Sequence, residues 1–195
     1  GAEGVSLGEA VHTLSYWLLI IISFCDFMLI NVIAVHIVPH AIQLEISPVQ
    51  AATVLSLAAG VSIPGRIFMG GLADRIGNRP GFYVCLTLSV AAFFVLQFSR
   101  TIGMLYLFAV LYGLGLWATG AILSPYLADL FGLKSHGSIF AGTVFSGTLG
   151  GGLGPMLGGY TFDITGSYRL GFLLCLLTSI GALIALALVR PVRLK

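Results

Sequence analysis

The sequence has 195 residues, of which 58% are hydrophobic and only 8% are charged. A soluble domain carries about 25% charged residues, so this chain has too few charges to cover the surface of a water-soluble globule. The formal net charge of +2 and the absence of any basic run longer than two residues exclude an electrostatic nucleic-acid-binding surface. The composition therefore indicates a protein whose outer surface faces lipid.

Six apolar segments are long enough to cross a bilayer, whose core of about 30 Å requires about 20 helical residues. They cover residues 14–38, 49–70, 81–98, 102–124, 138–162 and 170–189. The connections between them are short and hold most of the Pro, Asp, Arg and Lys residues. Ser47 followed by Pro48 is a typical helix start before the second segment. The pattern predicts an all-α membrane protein of six transmembrane helices.

The distribution of basic residues predicts the orientation. If both termini lie on one side, that side carries six Lys and Arg residues, whereas the other side carries only Arg100 and Arg169. The six are Arg75, Arg79, Lys134, Arg190, Arg193 and Lys195. Because cytoplasmic loops carry the excess of Lys and Arg, we expect both ends of the chain in the cytoplasm.

The first segment carries an acid, Asp26, near its middle. An ionisable residue inside a transmembrane segment is by default a functional candidate. Asp26 is either a carrier of a coupled proton or a structural hydrogen-bonding group paired with a helix outside this chain. Asn31, further along the same segment, is a candidate substrate-binding residue that lines a cavity.

Histidine and cysteine do not form a metal-binding pattern. His36 and His40 have the four-residue spacing that can bind zinc on a helix. Pro39 between them is expected to end the helix, however, and no third ligand is evident. The three cysteines fall singly in separate apolar segments, as buried unpaired thiols do: Cys25, Cys85 and Cys175. We therefore predict no metal and no cofactor, and an interfacial or gate role for the two histidines.

The second and third segments are joined by the loop GGLADRIGNR, residues 70–79. It resembles the signature loop of the major facilitator superfamily, G-x-L-A-D-R-x-G-R-K, with Asn78 in place of the usual basic residue. The resemblance implies a cytoplasmic gate in which two glycines allow close backbone approach, while the aspartate lies against the positive end of a neighbouring helix and pairs with an arginine. The gate residues implied are Gly70, Asp74, Arg75, Gly77 and Arg79, with Asp129 in the corresponding second loop.

The resemblance extends over residues 14–189. Residues 154–168, 36–41 and 128–132 are similar to segments of bacterial monocarboxylate and oxalate:formate type porters. This implies that the six helices form the C-terminal half of a twelve-helix transporter, built from two inverted three-helix repeats, in a bacterial inner membrane. Residues 1–13 are then the end of a central cytoplasmic loop and residues 190–195 a cytoplasmic tail. The expected partners are lipid, a small organic anion and an N-terminal six-helix half that this fragment lacks.

Arg66 lies four residues before the loop glycines and has two interpretations. It either snorkels to the interface or, as the resemblance to the porters implies, binds a substrate carboxylate with two hydrogen bonds. Animal monocarboxylate porters have an acid four residues earlier, where this chain has Ser62. Oxalate exchangers have a lysine in the eleventh helix, and this chain has no Lys or Arg within residues 138–162. A single arginine favours a monocarboxylate over a dicarboxylate.

The fifth segment leaves an alternative function open. Gly150, Gly154, Pro155 and Gly158 have the spacing that packs helices closely in lipid, but they also resemble the antiporter motif of drug:proton exporters. We predict a secondary transporter that moves an organic anion by proton coupling or exchange, with a drug:proton antiporter as the alternative. A non-transporting scaffold or receptor on the same fold is a further alternative. No serine-protease motif is present, so no enzymatic activity is expected.

Overall fold

The computed structural model describes residues 4–192, and helices account for nearly all of this part of the chain. A single turn of helix, α1 (Leu7–Ala10), precedes the longer helices. These are α2 (Leu14–Gln43), α3 (Pro48–Ile76), α4 (Asn78–Phe98), α5 (Ile102–Leu114), α6 (Thr119–Phe131), α7 (His136–Thr165) and α8 (Arg169–Leu188). A three-residue 3₁₀ turn, Leu116–Ala118, joins α5 to α6, so that the two helices form one broken span.

Five spans are long and apolar enough to cross a membrane: α2, α3, α4, the broken span α5–α6, and α8. Helix α7 has 30 residues, more than a crossing requires, but its many glycines make it less apolar than the other five. It packs along α2 and completes the bundle. The predicted all-α membrane fold of six helices is confirmed.

The helix pairs reflect two three-helix repeats, α2–α3–α4 and α5/α6–α7–α8. The first helix of one repeat packs on the second helix of the other, in the pairs α2–α7 and α3–α5. The third helices, α4 and α8, pack on each other. The pair α2–α7 in one repeat order therefore corresponds to the pair α5–α3 in the other, and the pair α4–α8 corresponds to itself. This symmetry is expected for two internal repeats of a transporter half.

Both ends of the described chain lie at the same end of the bundle. The Ser15 hydroxyl, at the start of α2, donates a hydrogen bond to the carbonyl of Arg190 at 2.7 Å. The Val5 backbone N–H donates to the Phe131 carbonyl at 2.9 Å, which fixes the segment before α1 against the end of α6. Arg193 and Lys195 of the predicted tail lie outside the described residues, as do residues 1–3.

The prediction that Pro39 ends the first helix is wrong, because α2 continues to Gln43. Proline removes one backbone hydrogen bond and usually kinks or breaks a helix. Here Ile37 before the proline and Ala41 after it are both fully buried. Packing on both sides of Pro39 therefore holds the helix together through it.

Helices α2 and α7 are in backbone contact, because glycines on α7 leave no side chain between them. A Cβ atom at Gly150 would collide with the carbonyl oxygen of Phe24, and one at Gly154 would collide with the carbonyl oxygen of Met28. Such close approach is how helices without a hydrophobic driving force between them associate in lipid. These two glycines therefore set the distance between the two helices.

Side-chain hydrogen bonds supplement this backbone contact. A Cβ atom at Gly158 would collide with the ring of His36, which occupies the space that the glycine leaves. His36 Nε2 donates to the carbonyl of Pro155 at 2.9 Å. One helical turn before Gly150, the Ser146 hydroxyl donates a hydrogen bond to the Ile20 carbonyl at 2.9 Å. Both bonds join α2 to α7.

We expect Gly150→Ala to destabilise the protein by about 1–3 kcal/mol, the usual cost of overpacking, because the added methyl group meets a backbone carbonyl that cannot rotate away. Gly181→Ala on α8 is the matched control, since a Cβ atom there meets nothing within 4 Å. Thermal unfolding of the purified protein in detergent measures the difference. Equal melting temperatures for the two variants would contradict the backbone contact described here.

Candidate functional site

The break between α5 and α6 is the centre of the candidate site. Gly115 has φ −88° and ψ −86° and ends α5. A Cβ atom there would lie 2.8 Å from the Ser89 nitrogen on α4, so only glycine lets the break approach that helix so closely. The 3₁₀ turn that follows places Trp117 between the two half-helices. Breaks of this kind are where transporters place binding groups at mid-membrane.

Arg66 contacts this break directly. Its Nε donates a hydrogen bond to the carbonyl of Trp117 at 3.1 Å, and the residue is exposed at the surface of the described chain. The two terminal guanidinium nitrogens donate to no other group among the described residues. A guanidinium held through Nε presents these two nitrogens side by side, which is the arrangement that binds a carboxylate by two hydrogen bonds.

Arg66 is also deeper in its helix than the sequence suggested. The second span was expected to end at residue 70, whereas α3 continues to Ile76. Ten residues at 1.5 Å per residue place Arg66 about 15 Å from that end of the helix. The last turn of α3 carries Asp74 and Arg75, so the helix end is not the membrane surface, and the hydrogen bond to Trp117 is the observation that favours a fixed Arg66.

Two aromatic residues connect the break to α2. The Tyr112 ring lies 5.8 Å from the Trp117 ring, and its hydroxyl donates to the Ile30 carbonyl at 3.3 Å. Asn31, the next residue on α2, is half-buried, and its Nδ2 donates to the Phe27 carbonyl at 2.9 Å within the same helix. The amide oxygen of Asn31 accepts no hydrogen bond from the described residues. The structure therefore links Arg66 and α2 through side chains that the sequence did not single out.

Asp26 lies in the interior of the six-helix bundle, 4% exposed. Its Oδ1 has no hydrogen-bond partner among the described residues. The Asp26 carboxyl lies near Cys85 on α4 and beside Thr119, the first residue of α6. Because the Asp26 side chain is enclosed within this chain, it does not face outward toward a further helix. This disfavours the interpretation that Asp26 pairs with a helix outside this chain.

The loop between α3 and α4 is tied to the ends of two other helices. Asn78 Nδ2 donates to Asp129 Oδ2 at 2.7 Å, which connects the loop to α6. Arg79 Nη2 donates to the Ala187 carbonyl at 3.4 Å, which connects it to α8. Asn78, which departs from the signature, is therefore the loop residue that pairs with Asp129. Nothing in a single sequence marks two residues so far apart as partners.

The two predicted gate glycines of the loop, Gly70 and Gly77, differ from each other. Gly77 has φ +96°, a conformation that side chains disfavour, and it ends α3. Gly70 has open space on its Cβ side within the described chain. The glycine that allows close approach is Gly81, where a Cβ atom would lie 2.8 Å from the Cβ of Ala73. Gly81 lies two residues after the signature loop, and this packing role was not predicted.

Asp74 and Arg75 project outward from the end of α3. With four neighbours they line an open groove of about 460 Å³: Ile67, Phe68, Gly71 and Leu72. Ile67 and Phe68 are more than half exposed. Neither Asp74 nor Arg75 pairs with another side chain in the part of the chain that the structure describes. Both side chains are therefore free to contact a helix outside this bundle.

The two histidines of α2 have separate packing partners. No group of three or more His, Cys, Asp or Glu residues suited to a metal ion occurs among the described residues. His36 bonds to α7, as above, while the His40 ring packs edge-on against Phe172 at 4.9 Å. His36 and His40 therefore contribute to helix packing at the end of the bundle opposite to the termini.

Comparison with known proteins gives a consistent family. The model of the Major Facilitator Superfamily matches residues 16–195. Monocarboxylate transporter 12 of Mus musculus is 30% identical over 163 residues, which are 82% of this chain and 34% of that protein. Monocarboxylate transporter 13 of Rattus norvegicus is 34% identical over 163 residues, 78% of this chain and 37% of that protein. The class H tetracycline resistance protein of Pasteurella multocida is 31% identical over 113 residues, 57% of this chain and 28% of that protein.

A solved structure shares the fold. The peptide transporter POT in complex with sulfate superposes with a TM-score of 0.81 at 19% identity, over 90% of this chain and 37% of that one. The chain thus spans about a third of the length of these relatives. The six-helix bundle, the signature loop and the family model, which matches nearly the whole length, agree: the chain belongs to the major facilitator superfamily.

Proposed function

We propose that this chain is one half of a secondary transporter for a small organic anion, and that Arg66 binds the substrate carboxylate. The observation that carries the proposal is the geometry of Arg66, whose Nε bonds to the Trp117 carbonyl while its two terminal nitrogens remain free. A cation inside a membrane span costs about 2.5–3.5 kcal/mol on insertion scales. A group retained at that cost, and presented as a two-pronged donor, is suited to an anionic ligand.

The substrate class rests on the relatives together with this geometry. The relatives named monocarboxylate transporters match most of the chain. One fixed guanidinium binds one carboxylate, so a monocarboxylate fits better than a dicarboxylate. Asn31 supports the site from α2, where its free amide oxygen offers an acceptor to a substrate hydroxyl. In this fold the binding site lies between two six-helix halves, so a second half completes the site, with alternating access between its two sides.

A drug:proton antiporter is the second candidate, because a tetracycline resistance protein is among the relatives. The glycines that resemble the antiporter motif are already used for the contact between α7 and α2. These glycines therefore do not by themselves indicate an antiporter. Arg66 distinguishes the candidates, since a neutral or cationic drug gains nothing from a guanidinium. Cytoplasmic termini and a bacterial inner membrane remain predictions from the sequence.

We expect Arg66→Ala to weaken uptake or binding of lactate and pyruvate by about ten- to a hundredfold, because a hydrogen bond to a charged group contributes about 1.5–3 kcal/mol. Arg66→Lys keeps the charge but loses the paired donors, so its affinity should fall between those of wild type and Arg66→Ala. The measurement is binding of labelled acids by the complete protein, with folding checked by thermal unfolding. Arg190→Ala is the control, since its side chain bonds to no described residue. Unchanged affinity in well-folded Arg66→Ala protein would favour the drug exporter.

We infer that Asp26 binds the coupled proton. An isolated carboxylate is costly to bury, whereas a neutral carboxyl group costs far less, and Asp26 is enclosed with one oxygen unpartnered. Because Asp26 lies beside Thr119, a proton bound there would be next to the α5–α6 break that Arg66 contacts. Protonation of Asp26 can therefore act on the substrate site through this break.

Asp26→Asn should abolish the acceleration of uptake by an inward proton gradient while leaving substrate exchange at equal pH within about twofold. The amide has the size of the carboxyl but cannot release a proton, so only the coupled step is affected. Reconstituted complete protein, assayed with and without a pH gradient, separates the two modes. Gradient-driven uptake equal to that of wild type would exclude Asp26 as the proton carrier.

We further propose that Asp74 closes the gate at the end of the bundle where the termini lie. The groove beside Asp74 and Arg75 has exposed apolar walls, which fit a helix of the second half, and both charges are unpaired within the described chain. The contact would then hold one conformation of the transporter closed. Asn78 and Asp129 would keep the loop in position on this side of the interface.

Asp74→Asn should reduce turnover at least severalfold with substrate affinity nearly unchanged, because it alters a conformational equilibrium and contacts no ligand. Saturation kinetics of uptake by the complete protein give both quantities. Asp163→Asn, at the other end of the bundle, is the matched control. A loss of affinity with normal turnover would show that Asp74 acts on the substrate and not on the gate.

A further inference from the structure

Two arginines stand apart from the other basic residues, at the end of the bundle away from the termini. Arg100 lies between α4 and α5, and Arg169 is the first residue of α8. They are the two basic residues on the side of the bundle that is predicted to be non-cytoplasmic. Both line the same small cavity, of about 10 Å³, together with His40 and Gln97. The fold therefore brings two isolated cations together beside two further polar side chains.

This cavity continues into an apolar groove on the outer surface of the bundle. The groove has a volume of about 400 Å³ and runs between α4 and α8. Arg100, Arg169 and Gln97 form its polar end, and the remaining walls are Phe94, Phe98, Leu173 and Leu176. Phe94 and Phe98 are 55% and 60% exposed. The groove is thus cationic at the membrane interface and apolar along the membrane-facing surface.

The polar end lacks the partners that its side chains require. His40 is 6% exposed, and both of its ring nitrogens are buried without a hydrogen-bond partner among the described residues. Gln97 Nε2 is in the same state. Neither guanidinium forms an ion pair or donates a hydrogen bond within the described chain, and no acidic residue lines the cavity or the groove. Buried polar groups are nearly always satisfied, so these groups together indicate an absent acceptor.

We propose that this is a binding site for an anionic phospholipid, with the phosphate between Arg100 and Arg169 and the acyl chains along the groove. Guanidinium groups bind phosphate oxygens through paired hydrogen bonds. Basic pockets between transmembrane helices hold anionic lipid headgroups in the same way. A free anion would use only the polar end, whereas a lipid uses the cations and the apolar walls together. The small cavity behind the arginines gives His40 and Gln97 access to one headgroup oxygen or a bridging water.

The site is separate from the proposed substrate site. It lies between α4 and α8, the third helices of the two repeats, whereas Arg66 on α3 contacts the α5–α6 break. A lipid here would contact both repeats at once and so hold them together on the lipid side. The proposal does not depend on which substrate the protein carries.

The test is lipid binding to the complete protein in detergent, measured by native mass spectrometry with phosphatidylglycerol and phosphatidylcholine of identical acyl chains. We expect phosphatidylglycerol to bind at least tenfold more tightly. The double variant Arg100→Gln with Arg169→Gln should lose this preference, whereas Arg190→Gln should keep it. Leu173→Trp fills the groove without changing the charge, and it should also weaken phosphatidylglycerol binding.

Three outcomes would overturn the proposal. The first is equal binding of the two lipids by the wild-type protein. The second is an equal loss for the Arg190→Gln variant, which would indicate nonspecific charge. The third is tight binding of inorganic phosphate that displaces the lipid and survives Leu173→Trp, which would indicate a site for a soluble anion. Melting temperatures without added lipid check folding, and Leu173→Trp decides the question alone if the double variant does not fold.

Discussion

The backbone contact between α2 and α7 is the interaction on which the rest of the bundle depends. It brings carbonyl oxygens of α2 against glycines of α7, with Gly150 and Gly154 as its central positions. Because the two helices belong to different repeats, the contact also joins the repeats. The face of α2 that carries Asp26 is then turned toward α4 and α6, and Asn31 is placed at the edge of the contact. The requirement for small residues on α7 thus helps to set where the two candidate side chains of α2, Asp26 and Asn31, point.

Sequence reasoning predicted the elements of this fold better than its contacts. Long apolar segments identify spans because lipid excludes unpaired backbone groups, and only helices satisfy that requirement within one segment. The signature loop identifies the family because its spacing is specific. Helix ends were less accurate, as α3 shows by extending to Ile76. Gly77, with its positive φ, ends that helix, and a search for apolar segments alone does not use this local signal.

The orientation of side chains within the bundle was beyond the sequence. Helices that are apolar on all sides have no amphipathic stripe to show which face is buried. Asp26 and Asn31 were therefore identified as unusual residues, but the enclosure of Asp26 could not be predicted. The bond between Asn78 and Asp129 and the break at Gly115 were missed for a related reason. Both depend on neighbours distant in sequence, although a glycine at residue 115 within an apolar span was a visible signal.

The bond from Arg66 to the Trp117 carbonyl bears on what happens when the carrier is empty. A cation without an acceptor in a medium of low dielectric is costly to move between conformations. In this structure the dipole of the Trp117 carbonyl partly compensates the charge of Arg66, and in the proposed site a bound carboxylate would supply the remainder. If Arg66 binds the substrate as proposed, this compensation would lower the cost of reorienting the empty transporter. Such a site would permit net movement of solute in one direction as well as one-for-one exchange.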